Sequence, residues 1–415
     1  MSDLITLTYQ WGRMPVPASN SPQIGYLLVE AVAQATPATA MPLNLCFVLD
    51  HSGSMQGAKL ENLKAATRQV IELLRPHDVA AIVIFDDTVQ TLAPAAPVGD
   101  RATLLAAVDN ITEAGGTTMS LGIQAGKVEL QKYLGPDRIN RMLLLTDGQT
   151  WGDESVCRDL ARELGQAGVR ITALGLGAEW NEQLLDDIAA ASDGISDYIA
   201  DPAQITTFFQ HAIQTAQATV ATDARLLLRF VRDVNPRAVY RVKPVIANLG
   251  YQPIGETAIA VRLGDLAGGE PAAVLFDMLL PPRVSGRFRI AQAELHLTPA
   301  GQTEEVVLKR DVLLEVVDQV GSESYVPSVM NLVERVTAFK LQTRALSEAA
   351  SGNVAGATQK LRAAATRLLD LGELELAEKT SQQAAALEQG HQLSPEAQKE
   401  LRYATRRLTQ RLEDE

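Results

Sequence analysis

The stretch Leu43 to Ser54, L-N-L-C-F-V-L-D-H-S-G-S, constrains the fold of this chain more than any other. A largely apolar run without polar alternation suits a parallel strand covered on both faces by helices. The run stops abruptly at Asp50, and Ser52 and Ser54 follow at alternate positions. In open α/β sheets, ligand chemistry gathers just beyond the carboxyl ends of such strands. Three oxygen-bearing side chains at that point read as part of a divalent-metal site.

The rest of the chain is organised around this strand. From Met41 to about Gln214, strand-like pieces alternate with helical stretches. The expected strands are Leu43–Leu49, Val79–Phe85, Arg141–Leu145, Arg170–Gly175 and Asp197–Ala200. The helical stretches between them predict a doubly wound, mostly parallel sheet. Val79–Asp86 directly follows a helix and could instead be an antiparallel edge strand. From Ala218 to Asp318 the pattern becomes strand after strand, separated by turns such as Asn235-Pro236, Gly268-Gly269 and Pro281-Pro282. That is a β-sandwich pattern. Leu4–Trp11 and Ile24–Ala33 are strand-like as well, and two strands alone rarely make a stable unit. They are expected to join the sandwich, which makes the α/β module an insertion. Beyond Val326 the chain is rich in strong helix formers and predicts one or two helical hairpins. The expected division is therefore 1–40 with 218–320 as sandwich, 41–217 as α/β domain, and 326–415 as helices. The basic tail from Leu401 reads as a helix face or a docking tail.

Two further segments complete the candidate site. Thr117 follows Gly115-Gly116 ahead of a helix, and Asp147 ends a strand in Thr146-Asp147-Gly148. Asp50, Ser52, Ser54, Thr117 and Asp147 should converge where a parallel sheet collects its loops. The donors are all hard oxygens, which favours Mg²⁺ or Mn²⁺, allows Ca²⁺, and makes zinc a poor fit. Hydroxyl ligands are neutral and only two carboxylates are available, so a bound cation stays electrophilic. A carboxylate from a partner protein is its natural last ligand.

At this point the residues resemble a family. D-x-S-x-S at Asp50–Ser54, G-G-T at Gly115–Thr117 and T-D-G at Thr146–Gly148 are similar to the von Willebrand factor A domain and its metal-ion-dependent adhesion site. The likeness extends to Gly175-Leu-Gly177 and Ala200-Asp-Pro202 and covers about Met41 to Gln214. Three motifs in order make it specific, where D-x-S-x-S alone would be weak. Leu263 to Glu270, L-G-D-L-A-G-G-E, also looks like the sandwich that accompanies such domains in bacterial proteins. The resemblance implies a Rossmann-like fold and Mg²⁺-dependent binding of a partner's Glu or Asp.

Blander readings stand beside these. Ser52 or Ser54 could cap the helix that starts near Lys59. Asp86-Asp87 reads as an edge-solubilising pair, His51 as a loop residue, and Trp151 as either a rim of the site or a cover for the sheet edge. The rival function is a Mg²⁺-dependent phosphohydrolase with Asp50 as nucleophile. That chemistry wants a cationic phosphate clamp, and no Lys or Arg lies in the three loops. No enzymatic activity is expected. A net charge of −13 argues against nucleic acid as the main partner. No apolar run reaches membrane-spanning length, and the start lacks the pattern of a secretory leader. Two cysteines set in buried elements suit a reducing compartment, so a cytoplasmic location is expected. The oligomeric state is not readable from the sequence.

Overall fold

The computed structural model describes residues 5–34 and 41–410. The chain opens with β1 (Ile5–Trp11), β2 (Val16–Pro17) and β3 (Gln23–Ala33). The α/β region follows as β4 (Leu43–Asp50), α1 (Ala58–Leu73), β5 (Val79–Phe85), β6 (Val89–Pro97), α2 (Arg101–Asp109) and α3 (Met119–Gln131). It continues through β7 (Ile139–Thr146), α4 (Glu154–Gln166), β8 (Val169–Leu176), α5 (Glu182–Ala191), β9 (Ile195–Ile199) and α6 (Ile205–Gln217). By compactness the chain divides into two units: Met1–Gln34, Asp223–Leu297 and Glu305–Glu415 form one, and Ala35–Thr222 with Thr298–Glu304 the other.

The sheet of the α/β unit has the order β6-β5-β4-β7-β8-β9, and every pairing is parallel except β5 with β6. β5 is thus a parallel partner of β4, and the antiparallel edge is β6, which the sequence reading does not contain. Pro94 and Pro97 hide β6, because proline cannot donate to a ladder and is tolerated only at an edge or bulge. The pairing of β5 with β6 shifts register twice along its length. β4 is buried along all of its length, as its apolar run predicts. Leu43, Leu45, Phe47 and Leu49 face α1 and α6, whose Leu63, Val70, Phe209 and Ile213 complete one core layer.

Glycine controls the other face. An added Cβ on Gly122 of α3 would stand 2.6 Å from Phe85 Cδ1 and 3.0 Å from Val48 Cγ1, so this helix lies directly on β4 and β5. At the amino end of the strands, Asn44 is fully buried and donates to Asn140 Oδ1 and to Leu130 O, each at 2.9 Å. Asn44 and Asn140 are partners in the ladder between β4 and β7, so the bond locks that register.

In the other unit β10 (Thr219–Phe230), β11 (Asn235–Lys243), β12 (Ala247–Asn248) and β13 (Gln252–Ile254) come first. After them come β14 (Ala258–Ala267), β15 (Ala272–Leu280), β16 (Gly286–Pro299) and β17 (Val306–Val317). They form two sheets, β1-β3-β15-β11-β12 and β13-β14-β10-β16-β17-β2. β3 pairs with β15 over Gln23–Ala31, so the N-terminal strands do find their partners late in the chain. The indole of buried Trp11 donates to Leu313 O at 2.8 Å and ties one sheet to the other. Four helices end the chain: α7 (Pro327–Ala350), α8 (Val354–Asp370), α9 (Leu374–Glu388) and α10 (Pro395–Arg406). Their apolar faces share a core with Leu28, Val242 and Leu275 of the first of these sheets. The basic segment from Leu401 lies within this core, with Leu401, Tyr403 and Leu408 buried, so over the described residues it is a packed helix.

Candidate metal centre at the carboxyl end of the sheet

Asp50 is the last residue of β4 and is fully buried. One carboxylate oxygen accepts the Ser52 backbone N–H at 2.8 Å, and the other accepts the Thr146 hydroxyl at 2.5 Å. Burial pushes the Asp50 carboxyl above its ordinary range. Hydrogen bonds from Ser52 and Thr146 work the other way, and the charge of Asp147 adds to the rise.

The hydroxyls of Ser52 and Ser54 are 3.1 Å apart, and Ser54 donates to Asp147 Oδ1 at 2.6 Å. Neither serine side chain caps a helix: α1 has Gly57 at its N-cap, without a side-chain cap bond. Thr117 completes the group. A Cβ built on Gly148 would lie 3.0 Å from Thr117 Oγ1 and 3.9 Å from Ser54 Oγ, so both hydroxyls border the Asp147–Gly148 segment. The five side chains thus come from three loops and meet at one place.

Backbone bonds stitch these loops together. Gly53 N–H donates to Gly115 O at 3.1 Å, and Ala114 N–H to His51 O at 2.9 Å. His51 Nδ1 lies 2.7 Å from Thr112 O, which makes this histidine a brace between the first two loops. Thr150 and Asp153 brace the third. Met119 N–H donates to the Thr150 hydroxyl at 3.2 Å, and Ser120 N–H to Asp153 Oδ2 at 2.8 Å. Burial opposes the charge on Asp153, yet hydrogen bonds from Thr150 and Ser120 hold its carboxyl below the usual value.

Asp86 and Asp87 do more than solubilise an edge. Asp87 accepts the Gly116 N–H at 2.7 Å, and Asp86 takes the backbone N–H and hydroxyl of Thr88. An added Cβ on Gly115 would meet Asp86 Oδ2 at 2.6 Å, and φ there is +59°. Both facts demand glycine. The double glycine therefore lets carboxylates approach the loop that presents Thr117.

Lys59 is the residue that sequence reasoning misses. It stands in the first turn of α1, outside all three loops, yet its ammonium donates to Asp147 Oδ2 at 2.5 Å. A cation therefore does reach the site. Nine positions separate it from Asp50, and no local pattern signals the contact. Thr146 was legible as the first letter of its T-D-G motif, but not as the group that holds Asp50. Trp151 is 80% exposed, so it does not cover the sheet edge.

Hard oxygens on buried carboxylates and clustered hydroxyls suit a divalent cation with oxygen preference, and the group fits one. The fold, a mixed sheet with helices on both faces and this loop cluster at its carboxyl end, defines the class. Residues 44–211 match the von Willebrand factor type A domain, so the α/β unit is a domain of that type. Residues 327–411 match the Sll0103-like C-terminal alpha-helical domain. The Synechocystis protein sll0103 is 32% identical over 269 residues, which is 63% of this chain and 64% of that protein. This chain therefore spans less than two thirds of that relative's length. A solved von Willebrand factor type A structure from Catenulispora acidiphila is 18% identical, covers 91% of this chain and 89% of its own, and has a TM-score of 0.73. That likeness shows a shared fold across nearly the whole chain. Proximal thread matrix protein 1 from mussel byssus, solved with a zinc-occupied MIDAS motif, is 20% identical and covers 43% of this chain and 46% of its own. Its TM-score is 0.39, and its zinc concerns that protein alone.

Proposed function

We propose that this chain is a non-enzymatic protein-binding module whose α/β unit grips an acidic residue of a partner through a divalent cation. Asp50, Ser52, Ser54, Thr117 and Asp147 would hold the cation, with Mg²⁺ or Mn²⁺ favoured by the hard donor set. One observation carries this reading: the bond from Ser54 to Asp147 at 2.6 Å joins loops that are 93 residues apart in sequence. Two carboxylates are buried beside convergent hydroxyls and Lys59 pairs with only one of them, so a cation among the hydroxyls would offset the charge that remains. A bound cation supplies an electrophilic centre for a partner's carboxylate. The residues of the chain orient it and keep its charge only partly neutralised. The match to the von Willebrand factor type A domain agrees, since domains of this type often act in adhesion or protein interaction.

The hydrolase reading finds less support. Lys59 is committed to Asp147, away from any open phosphate clamp. Both cysteines are buried and unbridged, in keeping with a cytoplasmic setting. Among the described residues no helix is long and apolar enough to cross a membrane.

The test is calorimetric titration of Mg²⁺, Mn²⁺ and Zn²⁺ into wild type and Asp50→Ala, followed by capture from lysate with and without EDTA. Wild type alone should bind metal, and captured protein should elute with chelator. Equal binding by Asp50→Ala, or capture indifferent to EDTA, would sink the reading.

A further inference from the structure

We propose that Lys59 sets the charge of this site: it weakens binding of the cation alone and strengthens the hold of the loaded site on a carboxylate. The inference rests on the metal-binding reading above and adds a residue to it.

The placement of Lys59 is unusual. A positive side chain in the first turn of a helix opposes the helix dipole, so α1 itself disfavours a lysine there. Asp147 offsets that. The Asp147 side chain is 0% exposed and that of Lys59 34%, so the pair is far less screened than a surface ion pair. Asp147 has one oxygen on the Ser54 hydroxyl and the other on the Lys59 ammonium. Neither Ser54 nor Thr117 carries charge. Counting the five candidate ligands and Lys59, the fixed charge is that of Asp50 and Asp147 less that of Lys59, a net of minus one; Asp86 and Asp87 stand behind the Gly115-Gly116 loop and are the same in every variant compared.

The consequence is arithmetic. A dication brings the cluster to plus one, and a single carboxylate from outside then brings it to zero. Without Lys59, the dication alone would reach zero, and the partner's carboxylate would leave an excess negative charge. Lys59 thus makes the metal an incomplete ligand by itself. It moves part of the binding free energy from the cation to the acidic partner. A neutral residue at 59 should reverse both effects, because a buried Asp147 without its counter-charge attracts a cation more strongly.

The experiment uses the full chain and Mn²⁺ as probe, by calorimetry, in chloride buffer and again with acetate replacing chloride at constant ionic strength. Lys59→Gln should bind Mn²⁺ in chloride more tightly than wild type, on the order of tenfold. Acetate should tighten Mn²⁺ binding to wild type and to Lys59→Arg, which keeps the charge, and should do so much less for Lys59→Gln. Lys59→Met, apolar and similar in length, repeats the measurement should the glutamine variant fold poorly. Neutral variants that bind Mn²⁺ no more tightly than wild type overturn the proposal. So does Lys59→Arg behaving like Lys59→Gln, since shape rather than charge would then be at work. Failure of the underlying site looks different: wild type would bind no Mn²⁺, or Asp50→Ala would bind it as well as wild type.

Discussion

Replacing Gly122 by alanine tests how the fold presents the site. In a solvent-exposed helix this change stabilises by about 1 kcal/mol through backbone entropy. Here the new methyl would stand 2.6 and 2.8 Å from two atoms of the Phe85 ring and 3.0 Å from Val48 Cγ1. Phe85 and Val48 are fully buried, and a β-branched valine has little rotamer freedom with which to yield. α3 must then lift from the sheet, an overpacking cost near the upper end of the usual range, about 3 kcal/mol. The net is a loss of about 2 kcal/mol. For a unit of this size that corresponds to a fall in Tm of about 4–8 °C. Thr117 lies in the loop that leads into α3, so Mn²⁺ affinity should fall together with Tm. Differential scanning calorimetry reads the first effect and metal titration the second. Gly99→Ala serves as the control, because nothing lies within 4 Å of its added Cβ. A Gly122→Ala protein as stable as wild type would refute the claim that close helix–sheet contact holds the loop in place.

Other outcomes follow from the same geometry. Thr146→Val keeps the shape of residue 146 but removes the hydroxyl that binds Asp50, and should weaken Mn²⁺ binding by about 10- to 100-fold, as measured by calorimetry. In the helical region Arg335 is buried and donates to Glu373 at 2.6 Å and to Leu408 O at 2.5 Å. Arg335→Met leaves Glu373 without that partner and should cost about 3–5 kcal/mol in chemical denaturation, much of it recovered in Arg335→Met with Glu373→Leu. Burial opposes the charge of Glu294, but Arg229, His296 and Lys309 outweigh it and hold its carboxyl below the ordinary 4.5. A depressed carboxylate stabilises the fold above its unfolded value, and that contribution is lost as pH falls through the folded one. Glu294→Gln should therefore be less stable than wild type near neutrality and converge with it as pH falls through the depressed folded value. Parallel stability curves would refute this.

What was legible in the sequence follows from burial. β4, β5, β7 and β8 are covered on both faces, so their apolar runs stand out; two of the three motifs lie at or just beyond strand ends, and the third lies between α2 and α3. β6 was hidden by its prolines, and β12 and β13 by being two and three residues long. The five candidate residues were legible because their spacing is local to each loop. Lys59 and Asp87 were not assigned their roles, because each acts across space on a different loop. A side chain reaching from the turn of a helix leaves no periodicity to read. The four-helix end of the chain was read only as hairpins, since its propensities are uniform and its turns are short.

The Asn44–Asn140 bond has a consequence at a distance. Asn44 is six residues before Asp50, and Asn140 is six residues before Thr146. At about 3.3 Å per residue, each strand measures off about 20 Å between this pair and the loop cluster. The two strands therefore act as matched rulers with a common zero at the amino edge of the sheet. Side chains alternate faces, so loss of a single residue from either strand would turn Asp50 away from Thr146. Surface loops can lengthen at small cost, but the count between Asn44 and Asp50 cannot change. Anyone grafting this site onto another sheet would have to carry the strand length and its far anchor along with the loops.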